Sequence, residues 1–166
     1  MESPLCEICL KSDMLCPGCS DKINRGIISD EDVNTARIIF KVSQEHKLQQ
    51  LGFTKTIGTK DLLVIVVEKG QLDTFLKTSA SVMKAITKKI KKRVRVIEKN
   101  SDLKELTRDL LRPAKVLGIN VLYKSAGEKQ YNIKIEKREK KKLPAPKWEL
   151  ENLIKTISGK EVKLVG

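Results

Sequence analysis

The sequence is poor in aromatic residues and in long apolar runs. Phe, Trp and Tyr make up 4% of its 166 residues, which disfavours recognition through many stacked rings of the kind that RRM-type and OB-type proteins use. The longest apolar run, Leu62–Val67, is far shorter than the roughly 20 residues of a membrane-spanning helix. The start, Met1–Pro4, lacks the features of a signal peptide. We therefore expect a cytoplasmic protein without a membrane partner.

The usual signs of catalysis are also lacking. His46 is the single histidine, and it lies in the polar segment Glu45–Lys47 without a candidate nucleophile nearby. Gly70 is isolated and no Gly-Lys-Ser/Thr sequence occurs, so the sequence contains no phosphate-binding P-loop. We expect His46 at the surface, and we predict that the protein is not an enzyme and has no small-molecule substrate.

Cysteine is confined to the first nineteen residues. There it forms two Cys-x-x-Cys pairs, Cys6 with Cys9 and Cys16 with Cys19. Two such turns can place four thiolates around one tetrahedral Zn²⁺, which leaves no open position for catalysis. Iron is the main rival metal, and two disulfides or a redox pair are the alternatives without a metal. We predict one structural Zn²⁺.

Charge is abundant and unevenly distributed. The 34 lysines and arginines outnumber the 21 aspartates and glutamates, which gives a formal net charge of +13. Residues 1–35 carry three basic and seven acidic residues, whereas residues 77–99 carry nine basic residues and one acidic residue. A local positive field of this kind indicates a polyanionic partner. The alternative is a lysine-rich surface that only keeps a heat-adapted protein in solution.

The same order of elements is predicted twice. In each copy an amphipathic helix precedes two strands, two helical stretches around a tight junction, and a closing strand. The predicted strands are 53–57, 62–67 and 93–97 in the first copy, and 116–123, 131–135 and 161–165 in the second. The predicted helical stretches of the second copy are 102–111, 137–142 and 147–157. This order predicts an α+β protein.

Apolar patterning indicates how some of these elements pack. The first helix begins after the N-cap Ser29 and is predicted to extend to about Gln50. The strand Leu62–Val67 is continuously apolar, so we expect it to be buried on both faces. Trp148 begins the last helix, and we expect it to pack in a core between the two copies, with a stacking platform as the alternative.

Several of these segments resemble a known family. Leu62–Glu98 is similar to a type II KH domain, through the strand Val64–Val67, the turn at Gly70 and the segment Lys92–Glu98. The whole of Asp30–Val165 resembles the tandem KH region of NusA-type transcription factors, in the short archaeal form that can carry an N-terminal four-cysteine knuckle. The segment that opens the second copy, from Ala114 to Asn120, is also similar to that family.

The resemblance implies both a domain organisation and a function. Residues 1–28 are expected to form a zinc knuckle, residues 29–99 a first KH unit, and residues 100–166 a second. The implied function is binding of single-stranded RNA in transcription elongation or termination, with RNA polymerase as an expected partner.

The loop that holds RNA in KH domains departs from the family's pattern here. That loop reads Gly-x-x-Gly, because glycines let phosphates approach backbone N–H groups at a helix start. The resemblance aligns it with four residues that include no glycine, Lys77, Thr78, Ser79 and Ala80. In the second copy it aligns with residues 143–146, where two prolines remove backbone donors. We expect the second copy to be the poorer clamp.

Lysines that follow the first junction extend the candidate RNA surface. On a helix, Lys84, Lys88, Lys91 and Lys92 fall near one side, opposite the apolar residues. Such a row can follow a phosphate backbone, and the alternative is a solvated helix face. The predicted RNA-binding residues are Lys77, Thr78, Ser79, Ala80, Lys84, Lys88 and Lys91. The run Lys137–Lys142 fits a second RNA contact and a solvated helix equally well.

Two other functions stay open at this point. The missing glycines fit a KH fold retained as a scaffold, in which the acidic knuckle docks on RNA polymerase or on a ribosome-related partner. A binder of duplex or single-stranded DNA is the third interpretation. The sequence favours RNA over both.

Overall fold

The computed structural model describes residues 3–48, 51–78, 80–99 and 102–166. The protein is mixed α+β, as predicted, and it divides into two compact units, Met1–Lys99 (unit 1) and Asn100–Gly166 (unit 2). Within the described ranges, no helix is both long and apolar enough to cross a lipid bilayer.

Unit 1 begins with two short helices that carry the cysteines. These are α1 (Glu7–Lys11) and α2 (Pro17–Asn24), and the long helix α3 (Asp30–Glu45) follows them. The remaining elements of unit 1 are β1 (Lys55–Gly58), β2 (Leu62–Val67), α4 (Leu72–Leu76), α5 (Ala80–Ile90) and β3 (Arg93–Glu98).

Both ends of α3 have local causes. Ser29 and Asp32 form a capping box in which each side chain accepts the other residue's backbone N–H, so the predicted N-cap is confirmed. The helix ends at Glu45, earlier than the predicted Gln50, because the chain turns at Lys47, whose φ of 52° is left-handed. Gln50 itself lies outside the described residues. His46 is exposed just after the helix, as expected.

The sheet of unit 1 has the strand order β1-β2-β3. β1 is antiparallel to β2, with Ile57 opposite Val64, and β3 is parallel to β2, with Val94 opposite Leu63. All six residues of β2 are buried, which confirms the prediction from its continuous apolar sequence. The parallel pairing requires a crossover, and α4 and α5 supply it.

The cysteine-bearing segment shares the core of unit 1. Five of its side chains, Leu5, Cys9, Leu10, Cys19 and Ile28, belong to one buried cluster that also contains Ile39 and Val42 of α3, Ile65 of β2 and Ile86 of α5. We expect the segment's stability to depend on α3 as well as on a metal, because these side chains lose their cover if α3 moves away.

Unit 2 repeats the arrangement of the sheet. Its elements are α6 (Leu103–Leu111), β4 (Val116–Tyr123), β5 (Lys129–Ile135), a 3-10 helix (Lys137–Lys142), α7 (Lys147–Ser158) and β6 (Glu161–Val165). The strand order is β4-β5-β6, with β4 antiparallel and β6 parallel to β5. Its buried side chains come mainly from α6, α7 and the inner faces of β5 and β6, for example Leu106, Leu110, Ile133, Leu153 and Leu164.

One core prediction in unit 2 is wrong. Trp148 is 64% exposed, whereas Leu150, Leu153 and Ile154 of the same helix are buried. Residues 150, 153 and 154 share one side of an α-helix, and residue 148 lies about 200° around the axis from residue 150. The indole of Trp148 therefore faces away from the core, although Trp148 is close in sequence to the buried residues of α7.

Candidate metal centre and nucleic-acid surface

The four cysteines occupy matching positions in two helix starts. Cys6 and Cys16 are the N-cap residues of α1 and α2, and both have φ of −70° and ψ of 162°. Cys9 and Cys19 lie three residues further on, inside the first turn of each helix. Each pair thus presents one thiol from the cap and one from the helix, and α1 and α2 bring the two pairs together.

The distances between the sulfur atoms fit tetrahedral coordination. The four Sγ atoms all lie within 4.8 Å of one another, with 3.4 Å between Cys6 and Cys9 and 3.9 Å between Cys6 and Cys16. A tetrahedral ion with metal–sulfur bonds of about 2.3 Å separates its sulfur ligands by about 3.8 Å. All four cysteines are free thiols in the structure, and the predicted grouping of the four is confirmed.

Backbone groups shape the chemistry of these thiols. The backbone N–H of Cys19 donates to Cys16 Sγ and lowers the pKa of that thiol to about 7. The N–H of Cys9 likewise lowers the pKa of Cys6. The N–H of Cys16 also donates to Cys9 Sγ, but burial and the neighbouring thiols outweigh it and raise the pKa of Cys9 to about 12. The cap cysteine of each pair thus favours the thiolate that a metal requires.

Arg37 of α3 holds the backbone around this cluster. Its Nε donates to the Cys9 carbonyl at 3.2 Å and its terminal nitrogen donates to the Met14 carbonyl at 3.3 Å. These bonds tie α1 and the connector between the cysteine pairs to α3. The signal for this role was a charged residue among the apolar positions of an amphipathic helix.

The α4–α5 junction is the predicted RNA-contact loop. Lys77 and Thr78 follow α4 and Ala80 begins α5, whereas Ser79 lies outside the described residues. The N–H of Lys77 donates to the Asp73 carbonyl and the N–H of Thr78 to the Phe75 carbonyl. The Thr78 hydroxyl donates to the Thr74 carbonyl at 2.9 Å. These donors are used within α4, so the Lys77 side chain is the exposed cation of the junction.

The predicted lysine row of α5 is partly neutralised. Lys84 and Lys88 are exposed one turn apart, and Lys91 is exposed just beyond the helix with a left-handed φ of 63°. Lys92, expected in the same row, instead forms an ion pair with Glu31 of α3 at 2.9 Å. Lys89 likewise contacts Glu45 at 3.1 Å. Within the described part of the chain, Lys77, Lys84, Lys88 and Lys91 have no acidic side chain within ion-pair distance.

In the second basic run, Lys137–Lys142, some of the charges form ion pairs within the run or with its neighbours. Glu139 of the 3-10 helix is buried, accepts from Lys142 at 3.0 Å and from the backbone N–H of Lys115 at 3.3 Å, and has a lowered pKa, mainly because of Lys142. Arg138 pairs with Glu136. The charges of this segment therefore serve local structure in part, which distinguishes it from the α5 lysines.

No protein-family model and no curated protein sequence matches the chain. Among solved structures, it is similar to the crystal structure of APE1850, with a TM-score of 0.51 over 78% of this chain and 96% of that one. The two sequences are 20% identical. At this identity the similarity concerns the fold.

Proposed function

We propose that the protein binds single-stranded RNA through unit 1, as a tandem type II KH protein of the NusA type that contains one structural Zn²⁺. The observation that carries the proposal is the group of exposed lysines without acidic partners at the α4–α5 junction and along α5, namely Lys77, Lys84, Lys88 and Lys91. Lysines that are not neutralised by the protein itself are available to phosphates.

The order of elements supports the KH part of the proposal. In both units a helix, two strands, two helical segments and a closing strand follow one another, and the closing strand is parallel to the strand before the junction. This is the order of a type II KH unit. The RNA contact proposed here differs from a glycine-loop clamp, because the amides of Lys77 and Thr78 already donate within α4. Lysine side chains then supply the phosphate contacts.

Zn²⁺ is the metal that the thiol cluster suits best. Four sulfur ligands at tetrahedral separations and without an open position are typical of structural zinc sites. The ion would be held by Cys6, Cys9, Cys16 and Cys19, and it would fix α1 and α2 against α3. We assign it no part in RNA chemistry.

Charge reversal in unit 1 tests the RNA proposal. We expect the combined change Lys77→Glu, Lys84→Glu, Lys88→Glu and Lys91→Glu to abolish binding to unstructured RNA, measured by fluorescence anisotropy. The matched control is Lys140→Glu, Lys141→Glu and Lys142→Glu, which is expected to weaken binding less. The milder pair Lys84→Gln and Lys88→Gln is expected to reduce the log–log salt slope by about 1.4, at about 0.7 for each phosphate contact.

Two results would contradict this proposal. Equal losses from both charge-reversed proteins mean diffuse attraction rather than a surface on unit 1. Absence of binding by the unaltered protein, across a panel of unpaired RNAs at low salt, favours the scaffold interpretation. That second candidate has its own support, because Ile8 and Met14 of the cysteine-bearing segment are 73% and 79% exposed and are available to a protein partner.

A further inference from the structure

β4 is a long, unprotected sheet edge. It is the outer strand of the order β4-β5-β6 and contains eight residues, Val116–Tyr123, none of which is charged or proline. Edge strands commonly carry charges or prolines that prevent pairing with another chain. The edge strand on the other side, β6, follows this pattern, because it contains Glu161 and Lys163. The one irregularity of β4 is a bulge between Val116 and Gly118.

The side chains of β4 are unusually exposed for apolar residues. Leu117 is 54% exposed, Val121 40%, Leu122 49% and Tyr123 74%. Covering these side chains would remove apolar surface from water, which is favourable. A strand partner would also form hydrogen bonds with the outward-facing backbone N–H and C=O groups of β4. The feature is therefore suited to strand addition, in which an extended peptide pairs with a sheet edge.

A basic pocket borders the first half of this edge. It has a volume of about 600 Å³ and lies between α6 and β4. Four cationic residues line it, Lys104, Arg108, Arg112 and Lys115, together with apolar residues that include Val116, Leu117 and Ile119. Lys104 and Arg108 lie one turn apart on the exposed side of α6, and Arg112 follows as the C-cap residue, so the three form a row at this side of the helix.

Among the described residues, two of the three cations in this row, Lys104 and Arg108, form no ion pair. Arg112 forms an ion pair with Asp109 at 3.0 Å, and Lys115 donates to Glu139 through its backbone N–H rather than through its side chain. In the part of the chain that the structure describes, no acidic side chain lies within ion-pair distance of Lys104, Arg108 or Lys115. No acidic residue lines the pocket.

We infer that β4 and this pocket bind an extended, acidic segment of a partner protein by strand addition. The backbone of the segment would pair with β4, its apolar side chains would cover Leu117 and Val121, and its carboxylates would face the row on α6. Charge complementarity selects an acidic occupant. The surface belongs to unit 2, and the inference does not depend on RNA binding by unit 1.

Two other occupants fit less well. A second copy of the chain, pairing β4 with β4, would bring two basic pockets side by side, which like-charge repulsion opposes. Unpaired RNA would leave the outer backbone edge of β4 without a strand partner, because a sugar-phosphate backbone cannot extend a β-sheet.

Peptide binding to the full chain tests the inference. The probes are fluorescein-labelled peptides as long as β4, in which Glu or Asp alternates with Val, Ile or Leu. We expect members of this panel to bind, and we expect methylation of alternate backbone amides to weaken them by roughly tenfold, because it removes the donors that pair with β4. The double change Lys104→Glu and Arg108→Glu is expected to cause a loss of similar size, about tenfold.

The control variant carries Lys134→Glu and Lys163→Glu, the same charge change on other strands of unit 2, and is expected to retain affinity. Thermal melting verifies that both variants are folded. Each of four results would overturn the inference. The first is that no acidic strand-forming peptide binds, and the second is that polyglutamate or the methylated peptides bind as tightly as the unmethylated panel. The third is that unpaired RNA displaces the peptide and the Lys104/Arg108 variant loses RNA binding to the same extent. The fourth is a concentration-dependent dimer that pairs through β4.

Discussion

Cys6 and Cys9 supply neighbouring sulfur ligands from different surroundings. Cys6 is exposed, whereas Cys9 is fully buried in the core of unit 1. Loss of the Cys6 thiol therefore removes a metal ligand alone, whereas loss of the Cys9 thiol also leaves a defect in the core. The spacing of the cysteines in the sequence carries no sign of this difference.

The first prediction separates these two effects. In the unaltered protein, metal analysis is expected to find one zinc per chain, and both Cys6→Ser and Cys9→Ser are expected to lower that content. After chelation, Cys6→Ser should melt like the unaltered protein. Cys9→Ser should stay less stable by about 1–3 kcal/mol, because it buries a hydroxyl among apolar groups. Four titratable thiols in a folded, zinc-free protein would contradict the metal assignment.

Asp32 is a second residue that makes contacts which its position in the sequence does not predict. The sequence indicates an acid in the first turn of α3, but the carboxylate is buried and also accepts from β1. Its Oδ1 lies 2.6 Å from the Thr56 backbone nitrogen and 2.8 Å from the Thr56 hydroxyl, while Oδ2 accepts from the Ser29 N–H. One side chain thus joins the start of α3 to the first strand.

Replacing this carboxylate is expected to be costly. We expect Asp32→Ala to destabilise unit 1 by about 3 kcal/mol, because a charge-assisted hydrogen bond contributes about 1.5–3 kcal/mol and buried donors lose their acceptor. Chemical denaturation gives the free energy of unfolding. The control is Asp30→Ala, an exposed acid in the same turn, which is expected to cost much less. Equal losses would mean that the helix dipole, rather than the contact with β1, accounts for the effect.

Among the elements, the 3-10 helix of unit 2 depends on one ionised group. Lys142 and the Lys115 N–H lower the pKa of Glu139, so the folded state favours its carboxylate. The stabilisation is complete above the ordinary pKa and is lost as the pH falls through the lowered one. We expect Glu139→Gln to reduce the melting temperature of unit 2 above about pH 5, and we expect this difference to disappear as the pH falls through the lowered pKa of Glu139.

Melting curves measured across this pH range provide the check. Glu128→Gln, which changes an exposed acid in the same unit, is the matched control and should leave the pH dependence unaltered. A difference between Glu139→Gln and the unaltered protein that persists at low pH would show that hydrogen-bond geometry, rather than ionisation, is responsible.

The sequence predicted those elements whose signals are local. The continuous run Leu62–Val67, the cap Ser29 and the paired cysteines all lie where expected, because apolar runs, caps and ligand spacing act over a few residues. The end of α3 was misplaced because the left-handed turn at Lys47 has no glycine to signal it. Trp148 was misplaced because closeness in sequence to Leu150 and Leu153 does not fix its angle around α7, which turns the indole to the exposed side.

Features that join distant segments were beyond sequence reasoning. The bonds of Asp32 to Thr56, of Arg37 to the cysteine segment and of Lys92 to Glu31 each span more than twenty residues. Asp, Arg and Lys side chains are mostly exposed to solvent, so the sequence alone does not indicate which of them form such contacts. The pocket beside β4 was missed for the same reason.

At the scale of the whole molecule, the two units differ in what stabilises them. Unit 1 shares its core with the cysteine cluster, whereas the sequence of unit 2 contains no cysteine. We expect chelation to reduce amide-exchange protection throughout the core of unit 1, including β2, and to leave β5 and α7 of unit 2 protected.

Hydrogen exchange read by mass spectrometry distinguishes the two units in the intact chain. Exposure of the protein to chelator, followed by dialysis against Zn²⁺, gives the matched control, because protection should return in unit 1. If chelation reduces amide-exchange protection only in residues 3–28 and leaves β2 protected, the cysteine segment unfolds independently of the shared core.

The pairing of the strands also has a kinetic consequence. In each unit the antiparallel pair is local in sequence, and β4 and β5 are joined through a short turn at Gly127. Hairpins of this kind form within about 1–10 μs. The parallel strands β3 and β6 can join only after the intervening helices have crossed the sheet, so their pairing closes long loops and comes late. Until then β2 and β5 each have an open edge, and that interval is when a nascent chain is most prone to pair with the wrong strand.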